Sequence, residues 1–261
     1  METHITGSGH NMPDIKSMVS PEEWDLRVDL AALYRLAAKH GMTDLTFTHF
    51  SARIPGEDNQ FLLNPFGLRF EQITASSLVR VDMDGNITLD NGHAVNAAGF
   101  TIHSAVHMAR HDLACAAHTH TPAGMAVSVL PEGLMALTQK SMRYYGKTAY
   151  HDYEGVALDL DERERLIEDF GEENHTMMLR NHGIMVCGGS VRSVWTRLYT
   201  LEKTMQAQLM AMASGAKLRL PPEEACKKVA AQWDKGDDTY RQDGWESQLR
   251  LLDRVDPAWR H

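Results

Sequence analysis

Two histidines two residues apart, His118 and His120, stand in the segment Ala116-Ala117-His118-Thr119-His120-Thr121-Pro122-Ala123-Gly124. Cys115, Ala116 and Ala117 make a short apolar lead-in, Thr121 is a good helix N-cap and Pro122 suits the first helical position. The segment therefore reads as a strand that turns into a helix. Residues two apart on a strand share a face, so both imidazoles point to the mouth of that turn. Neutral imidazole is a good ligand for zinc, iron or manganese. The pair alone also fits one locally hydrogen-bonded ring and one exposed ring. A third histidine favours the metal reading: His182 lies in Asn181-His182-Gly183, a turn between the apolar runs 177–179 and 184–186, where a polar ring needs a partner. Three neutral imidazoles plus water are a known catalytic arrangement for a divalent metal, with one position open to substrate.

Other constellations are weaker. His103, His107 and His111 recur every four residues on a helix expected over 96–110, but the segment lacks the Glu base of the zinc-protease motif. Of the three, His103 is the one expected to face the site. Tyr150-His151-Asp152-Tyr153-Glu154 suits either a pocket lining or a polar subunit contact. No Gly-x-Ser-x-Gly, phosphate-binding Gly-rich loop or dinucleotide fingerprint occurs, so serine hydrolase, kinase and Rossmann readings lose their usual support.

The elements that must position these groups are partly legible. Ser20-Pro21-Glu22-Glu23 combines an N-cap, a first-turn Pro and a capping-box Glu, followed by an apolar stripe at Leu26, Leu30, Leu33, Leu36 and Ala37 that ends before Gly41. Strands are expected over 45–53, 60–63, 78–82, 87–89, 113–120, 144–150 and within 175–186. Helices are expected over 122–130, 161–170 and from Ser190 to Gly215, the last with the inner stripe Val194, Trp195, Leu198, Leu201, Met205, Leu209 and Met212. Helices and strands interleave without a regular βαβ rhythm, which predicts an α/β sandwich with a largely antiparallel sheet. Residues 1–19 read as a flexible polar lead, 20–215 as one domain and 216–261 as a helical arm packed on that domain or on a neighbouring subunit.

The 261 residues are 43% hydrophobic and 23% charged, ordinary values for a globular chain. A net charge of −9 and the lack of a Lys/Arg-rich face argue against nucleic-acid binding. Cys115, Cys187 and Cys226 form no Cys-x-x-Cys and read as reduced packing residues of a cytoplasmic protein. No run approaches membrane-span length, so neither secretion nor a membrane partner is expected.

These residues resemble the class II aldolase/adducin family, with a pattern that fits from about Pro21 to about Gly215. The closest local matches are Ala98-Gly99-Phe100-Thr101-Ile102-His103, His118-Thr119-His120-Thr121, Val127-Ser128, Ala149 to Gly155, and Leu179-Arg180-Asn181-His182-Gly183. The resemblance implies a three-layer α/β/α sandwich around an antiparallel sheet, zinc on His118, His120 and His182, and a homotetramer with active sites between subunits. Manganese and iron are the alternative metals. It also exposes departures. The family's acid/base Glu falls on Gly99, and its phosphate-binding hydroxyl and Gly-Asn positions fall on Thr48-His49, Phe66-Gly67 and Ala97-Ala98. Most neutral contacts to a phosphate dianion are thereby lost. The pattern is that of the adducin-like branch.

The leading expectation is a metal-dependent carbon–carbon lyase acting on an unphosphorylated oxo or hydroxy acid through a metal-stabilised enolate. His49 or His103 would move the proton, and Arg53 or Arg180 would hold a carboxylate. Asn64, Gly67, Gln139 and Tyr153 complete the set as substrate-binding positions. The alternatives are a non-heme iron oxygenase of an aromatic oxo acid at the same histidines and a noncatalytic adducin-like binding module.

Overall fold

The N-terminal helices show how far local signals carry. In a computed structural model, residues 14–95, 97–155, 162–235 and 242–261 are described. Residues 15–18, expected within the polar lead, form the helical turn α1 (Ile15–Met18), which buries the apolar Ile15. Residues 1–13 of that lead, Asn96 and Asp161 lie outside the described residues. Helix α2 (Pro21–Lys39) starts as the sequence indicates, with Ser20 Oγ accepting from the Glu23 N–H at 3.1 Å. Leu30, Leu33, Leu36 and Ala37 form its buried stripe. Glu23, however, closes no capping box. Its carboxylate accepts from Arg27 Nε and Arg80 Nη1, both at 2.9 Å, because an ion pair at this buried end satisfies both carboxylate oxygens.

Eight strands form one sheet: β1 (His49–Arg53), β2 (Gln60–Leu63), β3 (Val79–Asp82), β4 (Ile87–Leu89), β5 (Cys115–Thr119), β6 (Thr148–His151), β7 (Thr176–Leu179) and β8 (Gly183–Gly188). Their order is β4-β3-β2-β1-β5-β8-β7-β6. Every pairing is antiparallel except β6 with β7. The remaining long helices are α3 (Ala97–Ala109), α4 (Pro122–Ser128), α5 (Glu162–Phe170), α6 (Val191–Ala213), α7 (Glu223–Lys235) and α8 (Gln242–Val255).

Period-two alternation assigns each strand residue to one of the two faces of the sheet. Phe50, Ala52, Cys115, Ala117, Ile184 and Val186 face α2, α4 and α6. Ala116, Met177, Met185 and Cys187 face α3 and α5. The result is an α/β/α sandwich around a mostly antiparallel sheet. In α6 the buried stripe runs through Val194, Trp195, Leu198, Leu201 and Met205. Helix α7 packs against the 3-10 turn Ser141–Tyr144 and α8 against α2. No helix among the described residues is long and apolar enough to cross a membrane.

Three boundaries differ from expectation. The strand expected over 45–53 begins only at His49, since Leu45 and Thr48 adopt positive φ values of 52° and 67° and turn the chain before it. The strand expected over 144–150 is a 3-10 turn through Tyr144 followed by β6. Helix α3 stops at Ala109, leaving His111 exposed and off the helix that carries His103 and His107.

Candidate metal centre

His118 lies on β5 opposite His49 of β1, with its ring on the face covered by α3. His120 follows one residue past the strand, where Thr121 caps α4 by accepting from Gly124 N–H at 3.0 Å and donates to the buried Glu202 carboxylate at 2.6 Å. That bond ties the strand-to-helix turn to α6. His182 closes the hairpin between β7 and β8, its N–H donating to the Leu179 carbonyl at 3.1 Å and Asn181 supplying φ of 58°. Gly183 is required here: a Cβ would lie 2.5 Å from the Thr119 carbonyl oxygen and 3.2 Å from the His120 ring.

The three imidazoles meet through their Nε2 atoms. His120 Nε2 is 2.9 Å from both His118 Nε2 and His182 Nε2. The other nitrogens of two rings are committed. His118 Nδ1–H donates to the Ile184 carbonyl at 2.9 Å, and His120 Nδ1–H donates to Asp44 Oδ2 at 3.0 Å. A neutral ring that donates from Nδ1 presents a lone pair at Nε2. His118 and His120 therefore aim two lone pairs at each other at hydrogen-bond distance with no proton between them. A tetrahedral zinc with Zn–N near 2.1 Å holds its nitrogens about 3.4 Å apart, so a small outward movement of the rings from 2.9 Å lets this donor set take a divalent cation.

Burial favours the neutral form of the His118 and His182 rings. Burial pushes His118 well below the ordinary imidazole range, with His49, His182 and His120 adding to the shift. Burial and then His120 lower His182 to about 4. Neutral imidazole is the ligating form. Asp44 accepts from His120 and fixes its tautomer, an outer-shell role that sequence reasoning did not find. Its only local signal is the positive-φ loop behind it, while its partner lies 76 residues away.

The other expected site residues divide into near and far. His49 is 5% exposed, its ring centroid 5.1 Å from that of His118, and its Nδ1 is buried without a partner. It also explains Gly99: a Cβ there would sit 2.6 Å from His49 Cδ2, so the ring occupies the place of any side chain at 99. Tyr153 is exposed with its ring 6.4 Å from His182, and both line a cavity with Arg180 and His151. Arg180 donates to the Leu130 carbonyl at 2.6 Å and stacks 4.3 Å from the Tyr150 ring. Arg53 donates to the carbonyls of Asp58 and His107. His103 is buried one layer behind His49. Asn64 is buried and accepts from Tyr34 Oη at 2.9 Å. Gly67 adopts φ of 86° in an exposed turn, and Gln139 is exposed in the turn 138–140. No hydrogen bond or ring contact among the described residues joins Asn64, Gly67 or Gln139 to the three imidazoles.

A mostly antiparallel α/β/α sandwich with three imidazoles converging at a strand-to-helix turn defines a class of metal-site folds. Residues 28–209 match the family described as Class II Aldolase and Adducin N-terminal domain, and the chain belongs to it. The crystal structure of an aldolase II superfamily protein from Pseudomonas syringae is 46% identical, with a TM-score of 0.91 over 95% of this chain and 100% of that one. L-fuculose 1-phosphate aldolase from Glaciozyma antarctica is 27% identical, with a TM-score of 0.80 over 89% of this chain and 92% of that one. Alpha-adducin of Rattus norvegicus is 40% identical over 88% of this chain, which spans 33% of the adducin's length.

Proposed function

We propose that the chain is a zinc-dependent carbon–carbon lyase of the aldolase or decarboxylase type acting on an unphosphorylated oxo or hydroxy acid. The observation that carries the reading is the pair of Nε2 lone pairs of His118 and His120 at 2.9 Å, with both Nδ1 atoms already donated. His118, His120 and His182 would hold the metal. When bound, a divalent metal supplies Lewis-acid polarisation of substrate oxygens and stabilises the negative charge that develops on cleavage. The all-imidazole donor set supports zinc, since iron facial triads use a carboxylate and Asp44 here is a hydrogen-bond acceptor of His120.

His49 carries the proton in this reading. Its ring fills the volume over Gly99, lies tilted beside His118 and keeps an unpartnered Nδ1. Arg180 sits in the cavity with His182 and Tyr153, where its remaining N–H donors can hold a substrate carboxylate. Exposed Leu45, Phe47 and Tyr153 near the cluster support completion of the site by a neighbouring subunit of a homotetramer. Free, buried Cys115, Cys187 and Cys226 support a cytoplasmic setting.

Elemental analysis of the purified chain, followed by a screen of oxo and hydroxy acids for released aldehyde or carbon dioxide, tests the reading. About one zinc per chain, lost in His118→Ala, with turnover that falls in His49→Gln is the expected result. Iron with oxygen uptake would replace it with the oxygenase. The similarity to alpha-adducin supports a binding module as the second reading, and a chain that takes up no metal on reconstitution would make it the first.

A further inference from the structure

The turn that carries His120 is held by a carboxylate with no cation of its own. Thr121 follows His120 directly, is buried and caps α4. Its hydroxyl donates to Glu202 Oε2 at 2.6 Å, and a Cβ on Gly124 would lie 3.0 Å from that hydroxyl oxygen, so the group is closely boxed in. Glu202 stands on α6 and is 3% exposed. Its other oxygen, Oε1, accepts from Gln206 Nε2 at 2.7 Å. Both donors are neutral. Among the described residues no Lys, Arg or His forms an ion pair with Glu202, and the Lys203 ammonium donates instead to Gln206 Oε1 at 3.2 Å, one amide away.

Taking a carboxylate out of water is unfavourable unless an opposite charge lies close. The buried Glu23 obeys that rule, bracketed by Arg27 and Arg80. Glu202 departs from it. Packing does not call for a charge here, since Gln at this position would offer the Thr121 hydroxyl the same kind of carbonyl acceptor. The metal cluster has the converse imbalance. Neutral imidazole is the ligating form of His118, His120 and His182, so a divalent ion brings two positive charges that its ligands leave unmatched. The carboxylate bonded to the cluster, Asp44, is 41% exposed and screened by water. The two imbalances meet where His120 joins Thr121.

We infer that Glu202 is the buried counter-charge of the metal centre, a positioning residue that holds the His120 turn through Thr121 and whose negative charge favours a cation among three neutral ligands. This rests on the reading of the three histidines as ligands. Without a cation the carboxylate destabilises the fold, because neutral hydrogen bonds replace only part of its hydration. With a cation in the cluster the attraction acts through a protein interior, where it is stronger than between surface charges. Stability of the metal-free chain and affinity for the metal therefore oppose each other at residue 202. A carboxylate kept only for packing would move both in the same direction.

The test needs no substrate: zinc affinity is read by chelator competition, and the thermal midpoint is read on the zinc-free chain. Glu202→Gln should weaken zinc binding about 10-fold, the low end for groups outside the ligand shell. Its zinc-free midpoint should equal or exceed that of the unmodified chain. Gln206→Leu removes a neutral donor and keeps the charge, so it should lower the zinc-free midpoint without weakening zinc binding. Glu202→Asp, which keeps the charge on a shorter arm, should bind zinc more tightly than Glu202→Gln. Unchanged zinc affinity in folded Glu202→Gln would overturn the counter-charge, as would a midpoint that falls together with the affinity or the reverse order of the Asp and Gln variants. An unmodified chain that takes up no zinc would defeat the ligand reading and this inference with it, whereas a zinc site indifferent to residue 202 defeats the counter-charge alone.

Discussion

Two groups of histidines lie on either side of the His49 ring and are built in opposite ways. In the His118, His120 and His182 group the outward nitrogens of two rings are fixed by a carbonyl and a carboxylate, and the free lone pairs are turned inward onto one point. In the His103 and His107 pair the inner nitrogens are bridged by Ser51 and the outer ones are left open. Burial depresses His118 and His182 in the first group and both rings of the second. What separates the ligand set from the buried pair is therefore not the neutrality of the ring but which of its two nitrogens the surrounding structure has engaged.

The largest effect that sharpens this contrast is at the ligands. His120→Ala should eliminate bound metal by elemental analysis, whereas His107→Leu should leave the metal content at its original level. Full occupancy in His120→Ala would erase the distinction between the groups.

Asp44→Asn is a smaller perturbation of the same design. It should weaken zinc binding about 10- to 100-fold in a chelator competition, because the amide no longer fixes His120 with a charged acceptor. The thermal midpoint of the metal-free chain should hardly move, since Asp44 is 41% exposed.

Gly183→Ala tests the shared scaffold. The new Cβ meets the Thr119 carbonyl at 2.5 Å, so the hairpin or β5 must shift, at a cost of about 1–3 kcal/mol in denaturant unfolding. Zinc affinity should fall with it.

The pH dependence of stability isolates the buried pair. The folded rings titrate near 3 and unfolded His near 6.5, so between those values the unfolded chain binds more protons. Stability contributed by this pair is complete above about pH 6.5 and is lost as pH falls toward 3. The loss is about 1.4 kcal/mol per pH unit for each ring within that window. In metal-free protein, His107→Leu should make the acid limb of the stability curve shallower by about one proton. An unchanged slope would mean that His107 is not held neutral in the fold.

The sequence by itself determined the parts governed by short-range rules. Ser20 and Thr121 cap their helices, the apolar stripe of α2 falls where the spacing put it, and the Asn181-His182-Gly183 turn joins two buried strands. Each depends on residues within a few positions, so the local pattern suffices. The His-x-His turn was legible for the same reason, and the third imidazole was suggested by its turn between two apolar runs. Tertiary structure decided what each ring nitrogen faces. Asp44 reaches His120 across 76 residues, and Ser51 reaches His103 across 52. The His49 ring takes the space above Gly99, and Glu23 spends its carboxylate on Arg27 and Arg80 in place of a capping box. No periodicity records these contacts, because a hydrogen bond between distant segments is fixed only when the sheet order and register bring the two backbones together.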